Sequence, residues 1–343
     1  METRILGTDD NSIKEAGEII ARGGLIAFPT ETVYGLGGNA FNGDSVKKIY
    51  TAKGRPSDNP LIVHIADISE LDALVREISD KASALIHAFM PGPFTIILKK
   101  SDKIPEEVTA GMDTVAVRFP ENAVAQRLIK SAGVPVAAPS ANLSGKPSPT
   151  KAKHVITDMT GRIDAIIDGG DSDVGVESTI VDASRDIPVL LRPGGITYEM
   201  ICDVVPETVI DPHILESLKA DEKPLCPGMK YKHYAPDAEV TVIEGDMAAV
   251  KAEIDKRLKE HSGRICGVLT MSENCYDSAV ILHGGMTNKE YAKNLFACLR
   301  KFDELGVEIV YAEFENRDGY GLAIRNRLYK AASQRIIHVN TEE

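Results

Sequence analysis

Short apolar segments that end at proline, glycine or serine recur along this chain, and they constrain its fold more than any other feature. The first covers residues 25–28, is stopped by Pro29, and follows residues 11–23, which have the apolar spacing of an amphipathic helix. Further strands are predicted at residues 61–65, 95–98, 114–119, 134–138, 165–168, 178–181 and 189–191, and helices at 68–78, 83–89 and 122–131. Strands and helices mixed in this way predict an α/β domain with a twisted mixed sheet and flanking helices.

The regular pattern lapses between Pro206 and Asp237, where aromatic residues and prolines take over. A flexible tether would be rich in glycine and serine, so residues 206–237 are predicted to form an ordered linker that lies against a surface. The alternation then resumes, with strands at residues 240–243, 265–270, 279–282, 308–312 and 335–339 and helices at 247–259, 288–305 and 322–332. We therefore predict two domains, residues 1–205 and a smaller Rossmann-like α/β domain over residues 238–343.

Charge argues against some classes of function. The 51 acidic residues against 39 basic ones leave a net charge of -12, and general binding of nucleic acids or anionic membranes depends on clustered lysine and arginine. Five cysteines without a C-x-x-C pair fit a reducing compartment, and the first residues lack the charged and apolar regions of a signal peptide. We expect a cytoplasmic protein with no membrane partner and no stable binding of nucleic acid.

Cationic residues stand near the ends of several predicted elements. No G-x-G-x-x-G motif follows a strand and no P-loop is present, but Lys53 and Arg55 flank a glycine shortly before a strand that carries His64. These two cations could face a phosphate chain; a solvated basic turn and a core histidine are the alternative. Arg118 lies in an alternating, half-buried strand, where an arginine needs an anionic partner. That partner is either a ligand or an acidic side chain of the protein.

The loop at residues 139–148 combines three serines with an asparagine and a lysine. Hydroxyl and backbone N–H groups suit phosphate or ribose oxygens, although capping turns use the same residues. A pocket for a polyanion such as ATP with its metal would form if the cations of these separate segments converged. The cations concerned are Lys53, Arg55, Arg118, Lys146 and Arg192.

Five groups of residues, in one order along the chain, resemble a known family. They are Phe28-Pro29-Thr30-Glu31-Thr32-Val33-Tyr34-Gly35-Leu36, Lys53-Gly54-Arg55-Pro56 with Asn59-Pro60-Leu61, Pro139-Ser140-Ala141-Asn142-Leu143-Ser144-Gly145, Glu177-Ser178-Thr179 and Leu191-Arg192-Pro193-Gly194. Together they resemble the YrdC-like domain of L-threonylcarbamoyladenylate synthases, as far as about residue 205. Residues 227–236 and the α/β domain after them resemble the longer, two-domain form of this family, so the resemblance covers nearly the whole chain.

The resemblance implies an activity. An enzyme of this family is a nucleotidyltransferase that makes L-threonylcarbamoyl-AMP from L-threonine, bicarbonate and ATP and releases pyrophosphate. The reaction is the first step of threonylcarbamoyladenosine modification in tRNA, so an enzyme that transfers the product to tRNA could be a downstream partner. The implied ion is Mg²⁺, which would bridge the ATP phosphates and whose protein ligands stay unassigned.

The resemblance also implies roles for single residues. Lys53, Arg55 and Arg118 are implied in catalysis, with Arg118 facing the threonine carboxylate and Lys53 on a charged rim. The residues implied to hold threonine are Thr32, His64, Arg118, Ala138 and Ser178. Those implied to contact ATP are Arg55, Asn59, Thr114, Ser140, Ser148 and Arg192, with His233 and Tyr234 of the linker closing over the nucleotide.

Two other classes of function compete with this one. A non-catalytic RNA-binding module is opposed by the net charge of -12. A carbamoyl-transfer enzyme of the hydrogenase-maturation type shares a related domain, but such proteins also carry cysteine-rich zinc motifs, and this sequence contains none.

Overall fold

The computed structural model describes residues 2–215, 225–227, 234–315 and 319–339. The chain divides into two compact units. The first comprises Met1–Ser144 and Ser148–Lys230, and the second comprises Gly145–Pro147 and Tyr231–Glu343, so three residues of the serine-rich loop belong to the second unit. Within the described ranges, every helix is too short or too polar to cross a membrane.

The first unit is built on one mixed sheet. Its strands in the described residues are β1 (Arg4–Leu6), β2 (Ile26–Phe28), β3 (Gly35–Asn39), β4 (Ile62–His64), β5 (Phe94–Lys99), β6 (Thr114–Arg118), β7 (Val136–Ala138), β8 (Ala165–Ile167), β9 (Thr179–Asp182), β10 (Val189–Arg192) and β11 (Val209–Ile210). Their order across the sheet is β1-β8-β2-β3-β7-β4-β6-β5-β9-β10-β11. β4 is parallel to β6 and antiparallel to β7, so the predicted mixed sheet is confirmed.

Helices flank this sheet. In the described residues they are α1 (Asp10–Ala21), α2 (Gly43–Lys53), α3 (Leu71–Leu74), α4 (Asp80–Phe89), α5 (Glu106–Thr109), α6 (Ala123–Ala132), α7 (Ala152–Met159) and α8 (Tyr198–Val204). The buried faces of α1 and α6 share one hydrophobic core with β2, β7 and β8, represented by Ile20, Leu128 and Phe28. This burial follows the helical spacing of apolar residues in α1 and α6.

The prediction of a helix over residues 68–78 is wrong. The chain forms a single 3-10 turn, Ile68–Glu70, and the one-turn helix α3, after which Val75 pairs with Lys100 as an isolated bridge. The apolar residues here therefore lie in two short turns near the end of β5, and their helical spacing does not form one longer helix.

The glycine-rich segment after Tyr34, which is not among the predicted strands, forms the strand β3 between β2 and β7. A Cβ on Gly37 would lie 2.6 Å from the Val136 side chain and 2.8 Å from that of Phe28. Glycine is used here because the neighbouring side chains fill the space beside the strand, and the sequence pattern alone does not show this.

Helix α2 ends at the beginning of the predicted Lys53–Arg55 site. Asn42 caps its first turn, since its side chain accepts the N–H groups of Asp44 and Ser45. Gly54 ends the helix in the left-handed conformation, with φ of 62°, which glycine adopts without steric cost. Lys53 is therefore the last helical residue.

The second unit is a parallel sheet with helices. Its strands in the described residues are β12 (Glu239–Gly245), β13 (Cys266–Thr270), β14 (Val280–His283), β15 (Ile309–Phe314) and β16 (Ile336–Val339), and its helices are α9 (Met247–Glu260), α10 (Asn288–Glu304) and α11 (Gly321–Ala331). All pairs are parallel, in the order β14-β13-β15-β12-β16. The predicted Rossmann-like class is confirmed, and the predicted elements differ from the observed ones by one or two residues at most ends.

A buried carboxylate fixes the loop at the carboxyl end of β13 in this second sheet. Glu313, near the end of β15, is fully buried and accepts hydrogen bonds from Thr270 Oγ1 (2.6 Å), the Met271 N–H (2.9 Å), Ser272 Oγ (2.8 Å) and Asn274 Nδ2 (2.9 Å). The hydroxyl of Tyr276 donates a further bond to the same carboxylate. This acceptor therefore holds the whole loop that follows β13.

The three loop residues that belong to the second unit are fixed by charged groups of that unit. Arg300 of α10 is buried and donates from Nε (3.0 Å) and Nη2 (2.6 Å) to the carbonyl oxygen of Pro147. Lys146 pairs with Asp237 (2.6 Å) and with Asp303 (3.8 Å). These contacts hold the Pro147 backbone and the Lys146 side chain within the second unit.

Candidate active site

One face of the first unit's sheet carries the residues predicted to bind threonine. Directly opposite residues of neighbouring strands project to the same face, as do alternate residues of one strand. In this register His64 of β4 stands beside Arg118 of β6. Ala138 of β7 stands opposite Ile62, two residues before His64. The register alone therefore brings His64, Arg118 and Ala138 to one face.

The same face continues over the next strands. β5 pairs with β6 so that Thr95 falls on the face of Arg118. The Thr95 hydroxyl lies 2.7 Å from the Ser178 hydroxyl, which precedes β9. Arg192, the last residue of β10, donates from Nη2 to Ser178 Oγ (3.1 Å) and from Nε to Ser178 O (3.0 Å). The Thr95 and Ser178 hydroxyls therefore lie on the part of this face between the strand of Arg118 and that of Arg192.

Gly194 permits this close approach of Arg192 to Ser178. A Cβ at Gly194 would lie 2.4 Å from the carbonyl oxygen of Glu177 and 2.5 Å from the backbone nitrogen of Thr179. Because backbone atoms cannot move aside as a flexible side chain can, this position accepts only glycine.

Arg118 is buried and partly neutralised by the protein. Its Nη2 pairs with the buried Glu31 carboxylate (2.5 Å), its Nη1 donates to Thr32 Oγ1 (2.9 Å), and its Nε lies 3.4 Å from the carbonyl oxygen of Gly92. An acidic side chain of the protein was one of the two alternatives for its anionic partner, and Glu31 is that side chain. A guanidinium has five N–H donors, so each Nη keeps one N–H for a further acceptor.

Thr32 reaches Arg118 because the turn after β2 is fixed locally. Pro29 ends β2, and the hydroxyl of Thr30 donates to the Val33 carbonyl oxygen (2.6 Å) and lies 2.9 Å from the hydroxyl of Thr32. Such a side-chain turn places the Thr32 side chain without any bound ligand.

His64 is neutral at physiological pH. Burial, and then the positive charge of Arg118, lower the pKa of His64 from 6.5 to about 3. Its Nδ1 lies 3.1 Å from the carbonyl oxygen of Ile62. Since that oxygen can only accept, Nδ1 carries the proton and Nε2 is an acceptor.

The residues predicted to contact ATP begin at the other end of β4 and β6. Thr114 starts β6, on the face of Arg118 and four residues before it, which corresponds to about 13 Å along a strand. Asn59 is buried shortly before β4, and its Oδ1 has no hydrogen-bond partner among the described residues. Arg55 Nη2 lies 3.2 Å from the carbonyl oxygens of both Asn59 and Pro60. A buried acceptor of this kind is rare and favours a ligand that donates.

Lys53 does not lie on an exposed charged rim. Its side chain is buried, and Nζ donates to the carbonyl oxygens of Ser140 (2.5 Å) and Asn142 (2.6 Å). The Ser140 hydroxyl in turn donates to Asn142 Oδ1 (2.5 Å). The predicted rim position and the solvated turn are therefore both wrong for Lys53, because the loop carbonyls bind the ammonium group and cover it.

Ser148 links the end of the same loop to β9. It is buried, and its hydroxyl donates to the buried Glu177 carboxylate (2.5 Å). Glu177 directly precedes Ser178, so a contact from the predicted nucleotide loop comes within one residue of the predicted threonine site.

Part of the predicted linker lies against this sheet. Cys226 is fully buried in a hydrophobic cluster with Ile62, Ala116 and Leu191. The carbonyl oxygen of Pro227 accepts a bond from Arg192 Nη1 (3.3 Å). Residues 225–227 are therefore part of the first unit's core.

Two predicted positions, Lys146 and Tyr234, belong to the second unit. Lys146 belongs to the second unit and pairs with acidic groups there, so it is not one of the cations on the sheet face. Tyr234 belongs to the same unit, where its ring packs 5.1 Å from that of Phe296 and 5.8 Å from the Arg327 guanidinium. Its contact with ATP stays a prediction, and His233 lies outside the described residues.

Three residues of the site received no role from the sequence. Glu31 and Glu177 stand within the recognised motifs, and Thr95 lies in a strand outside them. The need of a buried arginine for an anion could have pointed to Glu31. No local signal identifies Thr95, because its role depends on the register of β5 with β9.

The site is suited to binding anions. It offers the remaining N–H donors of Arg118, a neutral imidazole acceptor and several hydroxyl groups on one face. Groups of these kinds can orient anionic substrates and neutralise their charge. Among the described residues there is no cluster of three or more His, Cys, Asp or Glu side chains that could hold a metal ion.

Known proteins match both units. The family described as Telomere recombination matches residues 18–194, and the one described as Threonylcarbamoyl-AMP synthase, C-terminal domain, matches residues 196–333. The chain is 47% identical to the threonylcarbamoyl-AMP synthase of Pyrococcus abyssi over 95% of this chain and 96% of that protein, and 50% identical to that of Bacillus subtilis over 97% and 96%. The crystal structure of Pyrococcus abyssi Sua5 complexed with L-threonine has a TM-score of 0.94 and 46% identity, over 98% of this chain and 100% of that one. The chain therefore belongs to the two-domain threonylcarbamoyl-AMP synthase family of enzymes.

Proposed function

We propose that this chain makes L-threonylcarbamoyl-AMP from L-threonine, bicarbonate and ATP and releases pyrophosphate. The observation that supports this reaction is the sheet face with Arg118 and neutral His64 at one end and Thr114 at the other, with the buried Asn59 shortly before β4. The amino acid and the nucleotide would lie end to end along this face, beside Cys226, which packs on Ile62 and Ala116. The L-threonine bound to the Pyrococcus abyssi relative supports the choice of amino acid.

Arg118 binds the threonine carboxylate through the N–H groups that Glu31 and Thr32 leave available. A carboxylate on a guanidinium accepts two parallel bonds, which orients the amino acid as well as holding it. The threonine hydroxyl donates to Nε2 of His64, and the small side chain of Ala138 leaves room for the threonine methyl group.

The chemistry starts at the threonine amine. The ammonium group loses one proton to solvent, and the neutral amine attacks the carbon of bicarbonate, so that a carbamate forms and water leaves. A carbamate oxygen then attacks the α-phosphorus of ATP, the bond from that phosphorus to the bridging oxygen breaks, and pyrophosphate leaves. His64 is not the base in this scheme, because a group with a pKa of about 3 holds a proton poorly near neutral pH.

The protein's contribution to the second step is positioning and charge. Arg192 lies beside Ser178, and Arg55 lies beside Asn59, so both can offset the negative charge of the phosphates. Lys53 is a positioning residue, because its ammonium group fixes the Ser140 loop through backbone carbonyls.

Mg²⁺ would enter with ATP. Mg²⁺ usually keeps several waters and binds through substrate phosphates rather than through a cage of protein ligands. When bound, it would offset charge on the phosphate oxygens.

The product implies a later partner. A carbamate joined to AMP is a mixed anhydride, so an acceptor can attack the carbamoyl carbon and release AMP. We propose that a second enzyme directs this transfer to an adenosine of tRNA.

The proposal is tested by pyrophosphate release from ATP in the presence and absence of threonine and of bicarbonate. We expect release only when both are present. Arg118→Lys should raise the KM for threonine at least about tenfold, since a point charge replaces a two-pronged donor, whereas Arg127→Lys, at an exposed ion pair with Asp10, should leave it unchanged. Pyrophosphate release that does not depend on threonine would contradict the proposal.

Ala138→Val provides a second variant that should fold, because only two methyl groups are added to a buried strand position. It should raise the KM for threonine while the KM for ATP stays within twofold. Equal effects on both constants would mean that Ala138 does not face the amino acid.

A further inference from the structure

A cavity of about 820 Å³ lies in the first unit, at the edge of the sheet where β1, β2 and β8 begin. These three strands are parallel, and the opposite end of β2 leads into the Thr30–Thr32 turn of the candidate active site. The cavity shares no residue with that site. Its volume lies in the range of roughly 300–1,000 Å³ that is usual for small-molecule sites.

The cavity combines an apolar floor with a cationic rim. Ile19, Leu25 and Ala52 are buried and form part of its wall. Five cationic and two acidic residues from four segments of the chain complete it. These residues are Arg4, Arg22, Lys47, Lys48 and Arg162, with Glu2 and Asp164.

Two of the five cations are neutralised at the surface. Arg4 pairs with Glu15, and Lys47 pairs with Glu107 (3.2 Å) and with Asp44 (3.3 Å). Such exposed pairs leave little charge for a ligand.

The other three cations, Arg22, Lys48 and Arg162, form no ion pair with any carboxylate in the described part of the chain. Lys48 Nζ donates to the carbonyl oxygen of Gly23 (2.8 Å), and Arg162 Nη1 lies 3.5 Å from that of Ala52. These bonds cap helix ends, which is a common structural use of basic side chains. However, each uses one donor of the three on a lysine or the five on an arginine, and both side chains line the cavity.

Asp164 also limits the kind of ligand. Its Oδ2 accepts the backbone N–H of Leu25 (2.7 Å), so this carboxylate is fixed at the apolar floor. It would repel a phosphate placed there and would accept a bond from an amino group. The cavity therefore has cationic groups that can bind an anion at its rim, and one carboxylate acceptor among apolar groups at its floor.

We propose that this cavity binds a nucleotide, with the base on the apolar floor and the phosphate at Arg22, Lys48 and Arg162. A protein with a net charge of -12 gains no general affinity for anions, so a site with unpaired cations can select a ligand that supplies negative charge. The site is independent of the proposed catalytic reaction, because none of its residues belongs to the candidate active site.

The experiment measures binding of radiolabelled AMP to the full-length protein by equilibrium dialysis. The test variant is Arg22→Ala/Lys48→Ala/Arg162→Ala, and the matched control is Lys14→Ala/Lys103→Ala/Lys130→Ala, which removes the same charge from exposed positions outside the cavity. We expect the test variant to bind one AMP fewer per chain than the wild type, or to bind it about tenfold or more weakly at that site. The control variant and an Arg192→Ala variant should keep the cavity site, and added salt should weaken it.

Several results would overturn the proposal. They are equal AMP binding by the wild type and the test variant, inorganic phosphate competing as well as AMP, and binding of single-stranded RNA without binding of AMP. Crystals soaked with AMP provide the second readout. Density for the base against Leu25 and Ala52 supports the assignment, and density at the candidate active site alone contradicts it.

Discussion

We expect the substitution Glu31→Gln to test the candidate site most directly, because it removes the charge that pairs with Arg118. The Glu31 and Arg118 side chains are 8% and 5% exposed, and the substitution keeps the shape of Glu31 while it removes the negative charge. Breaking a buried ion pair lowers the free energy of unfolding by about 3–5 kcal/mol. Because the glutamine oxygen still accepts one bond from Arg118, we expect a loss near the lower limit, about 3 kcal/mol. One kcal/mol corresponds to roughly 2–4 °C in domains of this size, so Tm should fall by about 6–12 °C.

Threonine distinguishes a role in the site from a purely structural one. Its carboxylate would supply the charge that Glu31→Gln removes, so saturating threonine should raise Tm more in the variant than in the wild type. Differential scanning calorimetry with and without threonine measures both effects. Glu107→Gln is the matched control, since its partly exposed pair with Lys47 is worth less than about 1 kcal/mol. An unchanged Tm in Glu31→Gln would mean that the Glu31–Arg118 pair does not stabilise the fold. Equal threonine-induced Tm shifts in this variant and the wild type would mean that threonine does not bind at Arg118.

Three further substitutions test other parts of the structure. The unfolded chain binds a proton at His64 below about pH 6.5 and the folded chain does so only near pH 3, so stability measured in urea should fall by about 2 kcal/mol from about pH 7.5 to about pH 5; a His64→Asn variant that falls equally would contradict this. Asn59→Asp places a carboxylate where ATP is proposed to bind and should raise the KM for ATP about tenfold with little change in that for threonine, and an unchanged KM for ATP would place Asn59 outside the site. Glu313→Gln puts an amide among donors that need an acceptor and should lower the stability of the second unit by about 3 kcal/mol; urea unfolding that shows a loss under about 1 kcal/mol would mean that the loop rearranges.

The fold was predictable where apolar runs have clear ends. In the second unit every predicted strand and helix is present, because the strands are short apolar runs of a parallel sheet and each helix has an apolar stripe. In the first unit α2 was missed, although Asn42 and Gly54 mark its two ends. β3 was missed as well, since glycines are unusual in strands and their use there depends on Phe28 and Val136 on the neighbouring strands.

The candidate site was predictable in its residue types more than in their contacts. The strand pattern identified Arg118 as a cation that needs an anion, Arg192 was among the cations expected to converge, and the sheet register brings their strands to a common face. Which anion Arg118 binds could not be derived, because Glu31 reaches it from another segment of the chain. The burial of Lys53 could not be derived either, because the carbonyl groups that cover it follow β7, far along the sequence.

A crystal structure of the full-length protein with threonine and a non-hydrolysable ATP analogue tests the central claim most directly. We expect the threonine carboxylate to accept two bonds from Arg118 and the threonine hydroxyl to lie within hydrogen-bond distance of His64 Nε2. We expect the nucleotide to extend along the same face toward Asn59 and Thr114. Threonine bound away from Arg118, or a nucleotide on the opposite face of the sheet, would contradict it.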